Sequence, residues 1–356
     1  MSEPTKQDLG PGSADPLDPV ITARLAAARA GDPHEFSRLT EPHRRELQVH
    51  CYRLLGSLHD AEDLVQETFL RAWRRLETFE GRAPLRAWLY KIATNACLDE
   101  LDKRPRRGLP SAARPAADPR TPVEPPLIEP IWLEPIPDEW LADFEPGPET
   151  HYTARESISL AFVAALQALP PRQRAVLILS DVLDWRAREI ADLLGLTVSA
   201  ANSALHRART TLVKHYHARG TEAVAPLADD RLSALLNRYV QAWETADVAG
   251  LVALLKEDAA FTMPPSPSWY RGQADIRLCL ATTIFAGEAK GRWRLRPARA
   301  NAQPAFGLYQ RDEASGAYRV FGLQVLHWEG EHLREVTTFL NPALFPYFGL
   351  PATLSA

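Results

Sequence analysis

No apolar run in this 356-residue sequence approaches the ~20 residues that a membrane-spanning helix needs, so a membrane protein is not expected. Cysteine is scarce. Cys51, Cys97 and Cys279 are odd in number, far apart in sequence and form no CxxC pair. That argues against a disulfide framework or a zinc site and for reduced thiols in the cytoplasm. Neither a metal nor a cofactor is expected, and no internal repeat is visible. Basic charge is not in excess: the formal net charge is -4, so a nucleic-acid surface would have to come from the distribution of charge and not its sum. Residues 1–19 lack a signal-peptide core. They are polar, acidic and rich in Pro and Gly, and read as a disordered tail. What remains is 46% hydrophobic and long enough for two or three domains of roughly 100–150 residues each.

Helical periodicity runs over residues 20–104 and again over 151–220. Between them, residues 105–150 are crowded with proline, from Pro115 to Pro137. Proline removes backbone donors and opposes helix, so an extended connector is expected, with a reach exceeding ~100 Å. A third region, 228–345, opens with helical pattern and continues with strand pattern; 346–356 would be a tail.

In the first block, the segment from Asp60 to Trp73 reads as an amphipathic helix capped by Asp60, with Leu64, Ala72 and Leu76 in one apolar row and Val65, Phe69 and Trp73 in the next. Asp63, Glu67, Arg71 and Arg74 share the other face. A second helix covers Gly81 to Leu101, with Pro84 in its first turn. Leu85, Trp88, Leu89, Ile92 and Ala96 point inward. Arg86, Tyr90 and Thr94 point outward, with Lys91 and Asn95 at the edges. Cations, a ring and an amide on one face suit single-stranded DNA, where charge follows phosphate and rings stack on bases. These two segments resemble domain two of the extracytoplasmic-function (ECF) sigma factors. The resemblance implies contact with core RNA polymerase at Asp63, Gln66, Glu67 and Arg71. It also implies contact with the promoter -10 element between Phe79 and Asn95, with Arg82, Arg86, Tyr90, Lys91 and Asn95 as the candidates.

The second block contains a short helix, Ala187 to Leu194, a turn at Gly195, and a longer helix capped by Thr197. On the longer helix Ala201, Leu205, Ala208 and Leu212 point inward. Ser199, Asn202, Ser203, His206 and Thr210 point outward, with Arg207 and Arg209 on the flanks. From Leu193 to Thr221 there is no Asp or Glu, an electrostatic footprint for DNA on a helix-turn-helix. The block resembles domain four of the same family, which implies promoter DNA at the -35 element as partner. The family often carries a basic residue where Asn202 and Ala204 stand. Asn can pair with adenine and Ala can only touch a thymine methyl, so promoter preference is expected to differ.

The third region is expected to pack helices against a curved antiparallel sheet, an α+β cone around an apolar pocket with room for an unidentified small ligand. The segments Tyr239 to Leu255, Phe261 to Pro265 and Trp269 to Gly272 resemble the SnoaL-like (NTF2-like) domains. Some of those are enzymes that use a buried acid or base. Tyr239, Asp247 and His327 are the residues to weigh for it, each with an ordinary explanation as core, cap or strand residue, and no catalysis is expected. A subgroup of ECF factors carries this added domain, a Trp-Leu-Pro motif in the connector and an Asn-Pro motif at the end. Trp132-Leu-Glu-Pro-Ile-Pro137 and Asn341-Pro-Ala-Leu-Phe345 are similar to these, with the connector motif not letter-perfect. That resemblance implies regulation in cis, with Trp132, Leu133, Asn341, Pro342 and Phe345 as contact residues. Two other readings stay open: a helix-turn-helix repressor with a sensing domain, and an isomerase-like enzyme fused to a DNA-binding module. The first leaves Asp60 to Trp73 and the connector without a purpose; the second requires turnover by the region after Leu227.

Overall fold

The computed structural model describes residues 19–81, 83–104, 106–127, 132–141, 156–217 and 229–355. Arg82 lies outside them, as do most of the expected N-terminal tail and the last part of the connector.

Five helices build the first block: α1 (Pro19–Arg29), α2 (Pro33–Thr40), α3 (Arg44–Leu55), α4 (Leu58–Arg74) and α5 (Leu85–Leu101). The start of α4 differs from expectation. Ser57 is its cap, accepting from the Asp60 backbone N–H at 3.2 Å, while Asp60 sits in the first turn and holds Arg104 and Arg107 at 3.2 and 2.6 Å. Pro84 is the residue before α5, not inside it. The centre of the block is α3, whose residues Leu47 to Leu55 are all buried. Because α3 has no solvent side from Leu47 onward, its polar groups there need internal partners. The His50 ring meets Thr94 Oγ1 at 2.8 Å, and Tyr52 donates to the Glu134 carbonyl at 2.8 Å. Cys51 and Cys97, distant in sequence, are buried neighbours on α3 and α5, and burial pushes the Cys97 thiol up.

The connector is not an extended span. It contains a single-turn helix, α6 (Pro110–Ala113), begun by a proline where a first turn tolerates one, and its described residues lie along the protein. The second block follows: α7 (Leu160–Gln167), α8 (Pro171–Leu177) with a π-helical turn over Ile178–Val182, α9 (Ala187–Leu194) and α10 (Val198–His217). A buried arginine crosses the seam between the blocks. Arg174 on α8 donates to the Leu54 carbonyl at the end of α3, to Gln167 Oε1 at 2.5 Å, and to the carbonyls of Gln167 and Leu169 at 3.1 and 3.2 Å.

The third region holds α11 (Asp229–Glu244), α12 (Val248–Ala253) and α13 (Gln273–Cys279) against β1 (Leu255–Thr262), β2 (Trp269–Arg271), β3 (Trp293–Ala300), β4 (Gln303–Arg311), β5 (Tyr318–Glu329), β6 (His332–Phe339) and β7 (Thr353–Leu354). The strand order is β2-β1-β6-β5-β4-β3, with β7 added to β5. The sheet is not wholly antiparallel, since β1 and β6 run parallel. Nor are residues after 345 a tail, because β7 pairs Thr353 and Leu354 with Arg319 and Tyr318.

Two large cores result. One belongs to the third region and centres on Tyr239, Trp243, Trp293 and Leu326. The other runs without a break through both helical blocks, Leu109, Leu133, Ile136 and Trp140 of the connector, and Ala300, Ala305, Val325, Phe339 and Leu344 of the third region. Among the described residues no helix is long and apolar enough to cross a membrane.

Candidate nucleic-acid and protein interfaces

On α4 the apolar rows are spent on the core, which leaves Asp63 and Gln66 exposed on the opposite face. Glu67 is half-buried and binds Arg71 at 2.8 Å; Arg71 also reaches Asp99 on α5 at 3.2 Å. Between these polar groups stands Leu70, a large apolar side chain that is 52% exposed. Leu70 lies one helical turn from Gln66 and two from Asp63, so an apolar anchor is ringed by charge, as at protein interfaces. Sequence reading passed over Leu70; its signal was an apolar residue off both apolar rows.

The α5 face is less open than expected. Lys91 and Asn95 are exposed. Tyr90 and Thr94, expected outward, are fully buried. The physical reason is that α5 is covered on a second side: the Tyr90 ring meets His50 of α3 at 4.9 Å and Trp185 of the second block at 5.7 Å. Burial holds the Tyr90 phenol above its ordinary value and the His50 imidazole far below its own, at about 3. Arg86 lies over the Tyr90 ring, 4.9 Å from its centroid, and pairs with Glu46 at 2.6 Å. Lys91 donates to the Asp192 carbonyl of α9 at 3.3 Å. Trp88, expected inward, is half-buried against Phe79.

The two helices α9 and α10 form the expected pair. Gly195 takes the left-handed conformation at φ 65° that ends α9, and Thr197 Oγ1 accepts from the Ala200 N–H at 3.1 Å. Ser199, Asn202, Ser203, His206 and Arg207 are exposed along α10. Two residues depart from expectation. Ala204 is buried on the inner side, so it is not placed to touch a base. Arg209 is committed inward through two hydrogen bonds, 2.8 and 2.7 Å, to the buried carboxylate of Asp181 on the π-helical turn. A bidentate pair of this kind is strong and positional, and Arg209 is thereby an anchor of α10.

A five-helix block with this buried α3 and a helix-turn-helix with this free face have counterparts among known proteins. Sigma-70 region 2 matches residues 39–107 and Sigma-70 region 4 matches residues 159–212. The ECF RNA polymerase sigma factor SigG of Mycobacterium tuberculosis H37Rv is 46% identical over 338 residues, covering 92% of this chain and 86% of SigG. This chain belongs to the ECF RNA polymerase sigma factors. SigW of Bacillus subtilis is 24% identical over 198 residues, covering 56% of the chain and 97% of SigW. The crystal structure of the Mycobacterium tuberculosis sigma factor SigJ covers 90% of the chain and 100% of SigJ at a TM-score of 0.54 and 22% identity, which shows the shared fold. The protein is therefore a sigma factor acting with core RNA polymerase in promoter-specific initiation, with two helical sigma domains and a C-terminal helix-plus-sheet domain.

In this sigma factor the connector motif is docked. Leu133 and Ile136 are buried, and Gly56 at the end of α3 has both a left-handed φ of 71° and no room for a Cβ, which would run into Leu133. Trp132 is half-buried, and its carbonyl accepts from Arg107 at 2.9 Å. Glu134 sits at the N-terminus of α4, where its carboxylate accepts from Ser57 Oγ at 2.8 Å and from the His59 backbone N–H at 3.2 Å. A negative charge there suits the helix dipole. The expected contacts at the far end are placed differently. Asn341 caps a 3-10 turn, Pro342 is exposed, and Phe345 packs on Tyr309 inside its own domain. The neighbours Leu344 and Tyr347 make the crossing instead. Tyr347 donates to Glu62 of α4 at 2.9 Å, and its ring meets His59 at 5.2 Å and Trp140 at 6.3 Å.

The residue that joins everything was not foreseen. Asn301, at φ 55° in the turn between β3 and β4, is fully buried. Its backbone N–H donates to the Ile136 carbonyl at 2.9 Å, and its Oδ1 accepts from the Ile136 N–H at 3.1 Å. Its Nδ2 donates to Tyr52 Oη of domain two and to the Ile158 carbonyl at the entry to domain four, both at 2.8 Å. One amide thus binds two sigma domains and the connector at once. The side chains weighed for catalysis have structural places. Asp247 caps α12 through the Gly250 N–H at 2.9 Å, and Tyr239 donates to Gln324 at 3.1 Å with burial raising its pKa. His327 is half-buried, with its pKa lowered chiefly by desolvation.

Proposed function

We propose that this sigma factor docks on core polymerase through the α4 face of Asp63, Gln66, Glu67, Leu70 and Arg71, and that its C-terminal domain regulates promoter engagement in cis. Arg82, Arg86, Tyr90, Lys91 and Asn95 hold the -10 element. Ser199, Asn202, Ser203, His206 and Arg207 read the -35 element, with Arg209 fixing their helix through Asp181.

The observation that carries the regulatory reading is Asn301, whose four hydrogen bonds all leave its own domain. A connector able to stretch beyond ~100 Å is held against both sigma domains by that turn. In this arrangement Tyr90 is covered by Trp185, and Lys91 is engaged by α9. Promoter melting needs a ring and a cation to be available to single-stranded DNA. The C-terminal domain therefore restrains initiation.

The test is run-off transcription with core polymerase on promoter DNA from upstream of the protein's own gene. Full-length protein and a chain ending at Leu227 are compared at matched folded concentrations. Both should bind polymerase and the shorter should yield more transcript. Equal yields would remove the regulatory role, and a shorter chain that yields less would reverse its sign.

A further inference from the structure

Residues 289–311 include no Asp or Glu, while Lys290, Arg292, Arg294, Arg296, Arg299 and Arg311 fall among them. The bias has the same sign as that of residues 193–221 around α10. Elsewhere in the sheet charge is balanced. Every Lys and Arg on β1, β2, β5 and β6 has a carboxylate partner: Lys256 with Glu329, Arg271 with Asp258, Arg319 with Asp312 and Arg334 with Glu329. On β3, Arg299 pairs with Asp138 at 2.8 Å, and just before it Arg292 donates to the Glu288 carbonyl at 2.9 Å. Arg294, Arg296 and Arg311 are exposed and, among the described residues, have no carboxylate partner.

These three arginines share one face. Strand β3 is an edge of the sheet. Arg294 stands opposite Tyr309 of β4 and Arg296 opposite Gly307, while Arg311 is two residues beyond Tyr309. Residues two apart on a strand are separated by about 7 Å, and diagonal neighbours across strands by about 7–8 Å, so the side chains rise in an oblique row. Buried rings lie beneath them: Arg294 sits over Tyr318, 4.8 Å from its centroid, and Tyr318 packs with Tyr309. A stacked guanidinium keeps its charge and its fork of donors aimed outward. The acids next in the chain, Asp312 and Glu313, lie in the turn after β4. Asp312 is taken by Arg319 at 3.1 Å and by the Ser315 N–H and hydroxyl at 2.8 and 2.9 Å.

The row is fixed beside domain four. The strand carrying Arg294 and Arg296 runs into Asn301, whose amide holds the Ile158 carbonyl, and Gln303 Oε1 accepts from the Leu160 N–H at the start of α7 at 3.4 Å. Helix α7 packs in turn on α10. A duplex seated on α10 extends past that helix in both directions, so the third domain is a neighbour of its backbone. We propose that Arg294, Arg296 and Arg311 form a further DNA-binding surface, which grips phosphates of the promoter duplex next to the -35 element without reading its sequence. Arginine suits the task, because its fork meets a phosphate with two parallel hydrogen bonds, and contacts to phosphate position a protein on DNA without specifying bases. The placement rests on α10 as reader of the -35 element and not on the regulatory proposal: gripping intact duplex and restraining its melting are compatible.

Holoenzyme assembled from core polymerase and the full-length protein is titrated onto a fluorescent duplex from upstream of the protein's own gene, at a series of salt concentrations. Arg296→Gln, at an exposed position, should flatten the slope of log affinity against log salt by about 0.9, the share of one phosphate. The triple variant Arg294→Gln, Arg296→Gln, Arg311→Gln should flatten it by roughly 2.7, at ~0.9 for each of three phosphates, with an unchanged circular dichroism spectrum. Hydroxyl-radical cleavage of the backbone beside the -35 element should increase on that variant. Equal slopes for the wild type, the single variant and the folded triple variant overturn the grip. So does a triple variant that no longer copurifies with core polymerase, which assigns the row to an acidic protein surface. If Asn202→Ala and Arg207→Ala change nothing while the triple variant flattens the slope, the reading of α10 fails and the grip stands.

Discussion

Replacing Asn301 by glycine isolates the junction from the backbone that carries it. Glycine tolerates the φ of 55° that alanine would strain, so the turn between β3 and β4 should persist. The side chain's three hydrogen bonds disappear. Tyr52 keeps a partner, since its hydroxyl donates to the Glu134 carbonyl. The Ile136 N–H loses its acceptor and the Ile158 carbonyl loses a donor. Each buried group left in this state costs about 1–3 kcal/mol, so docking of the C-terminal domain weakens by roughly 2–6 kcal/mol. The lower figure corresponds to about 30-fold more frequent opening. Hydrogen exchange at the Ile136 amide should therefore quicken at least about 30-fold. Amides of β1 and β2, whose buried side chains pack in the C-terminal domain's own core, should keep their protection. Run-off transcription per folded molecule should rise together with exchange. Fast Ile136 exchange with unchanged transcript would sink the link between docking and restraint. Exchange that stays slow would show that the apolar contacts of Ala300, Ala305 and Leu344 hold the junction without the amide.

Three further outcomes are expected. Arg207→Ala should weaken binding to all -35 sequences alike and flatten the salt slope by roughly one unit, whereas Asn202→Ala should cost about 1–3 kcal/mol at one or two base positions; a uniform loss for Asn202→Ala in competition binding would reassign these roles. Charge reversal at Asp63 and Glu67 together should abolish copurification with core polymerase while circular dichroism stays normal, and Leu70→Ser should weaken it; full recovery by both folded variants would move the docking surface off α4. Burial holds His50 at about 3 against an ordinary 6.5, so below pH 6.5 the unfolded chain takes up a proton that the folded chain refuses. Stability should then fall by up to about 1.4 kcal/mol per pH unit from 6.5 towards 3, and His50→Gln should show a shallower fall in urea titrations at pH 7 and 5.5, equal slopes refuting the assignment.

The helices α4, α5, α9 and α10 were legible because each buries one stripe and exposes another, which writes a 3.6-residue period into the sequence. Helix α3 was not, because it is buried on every side. His50, Tyr52 and Arg53 look like a solvated face until Thr94, Glu134 and Ser157 are seen to bond with them. The same blindness misplaced Tyr90 and Thr94. A one-sided pattern cannot register that α3, and at Tyr90 the second block as well, covers the polar face. On α10 the period was right and the small residue Ala204 was the error, being inward on a helix whose exposed side otherwise reads correctly. Asn301 carried only a turn signal, since asparagine tolerates the left-handed region; that its amide would bridge three segments depends on contacts 143 to 249 residues away in sequence.

Arg174 bears on which part of the molecule keeps it shut. It is a buried cation whose acceptors are carbonyl and amide oxygens, all neutral, and burial draws its pKa down to about 9. At neutral pH it therefore stays charged in a place where charge is costly. Parting the two sigma domains would return that guanidinium, and the Leu54 carbonyl it covers, to water. The charge thus opposes the seam, which the unbroken apolar core of the two blocks and the junction at Asn301 hold closed. On the regulation proposed above, loosening of the third domain is aided by the return of Arg174 to water.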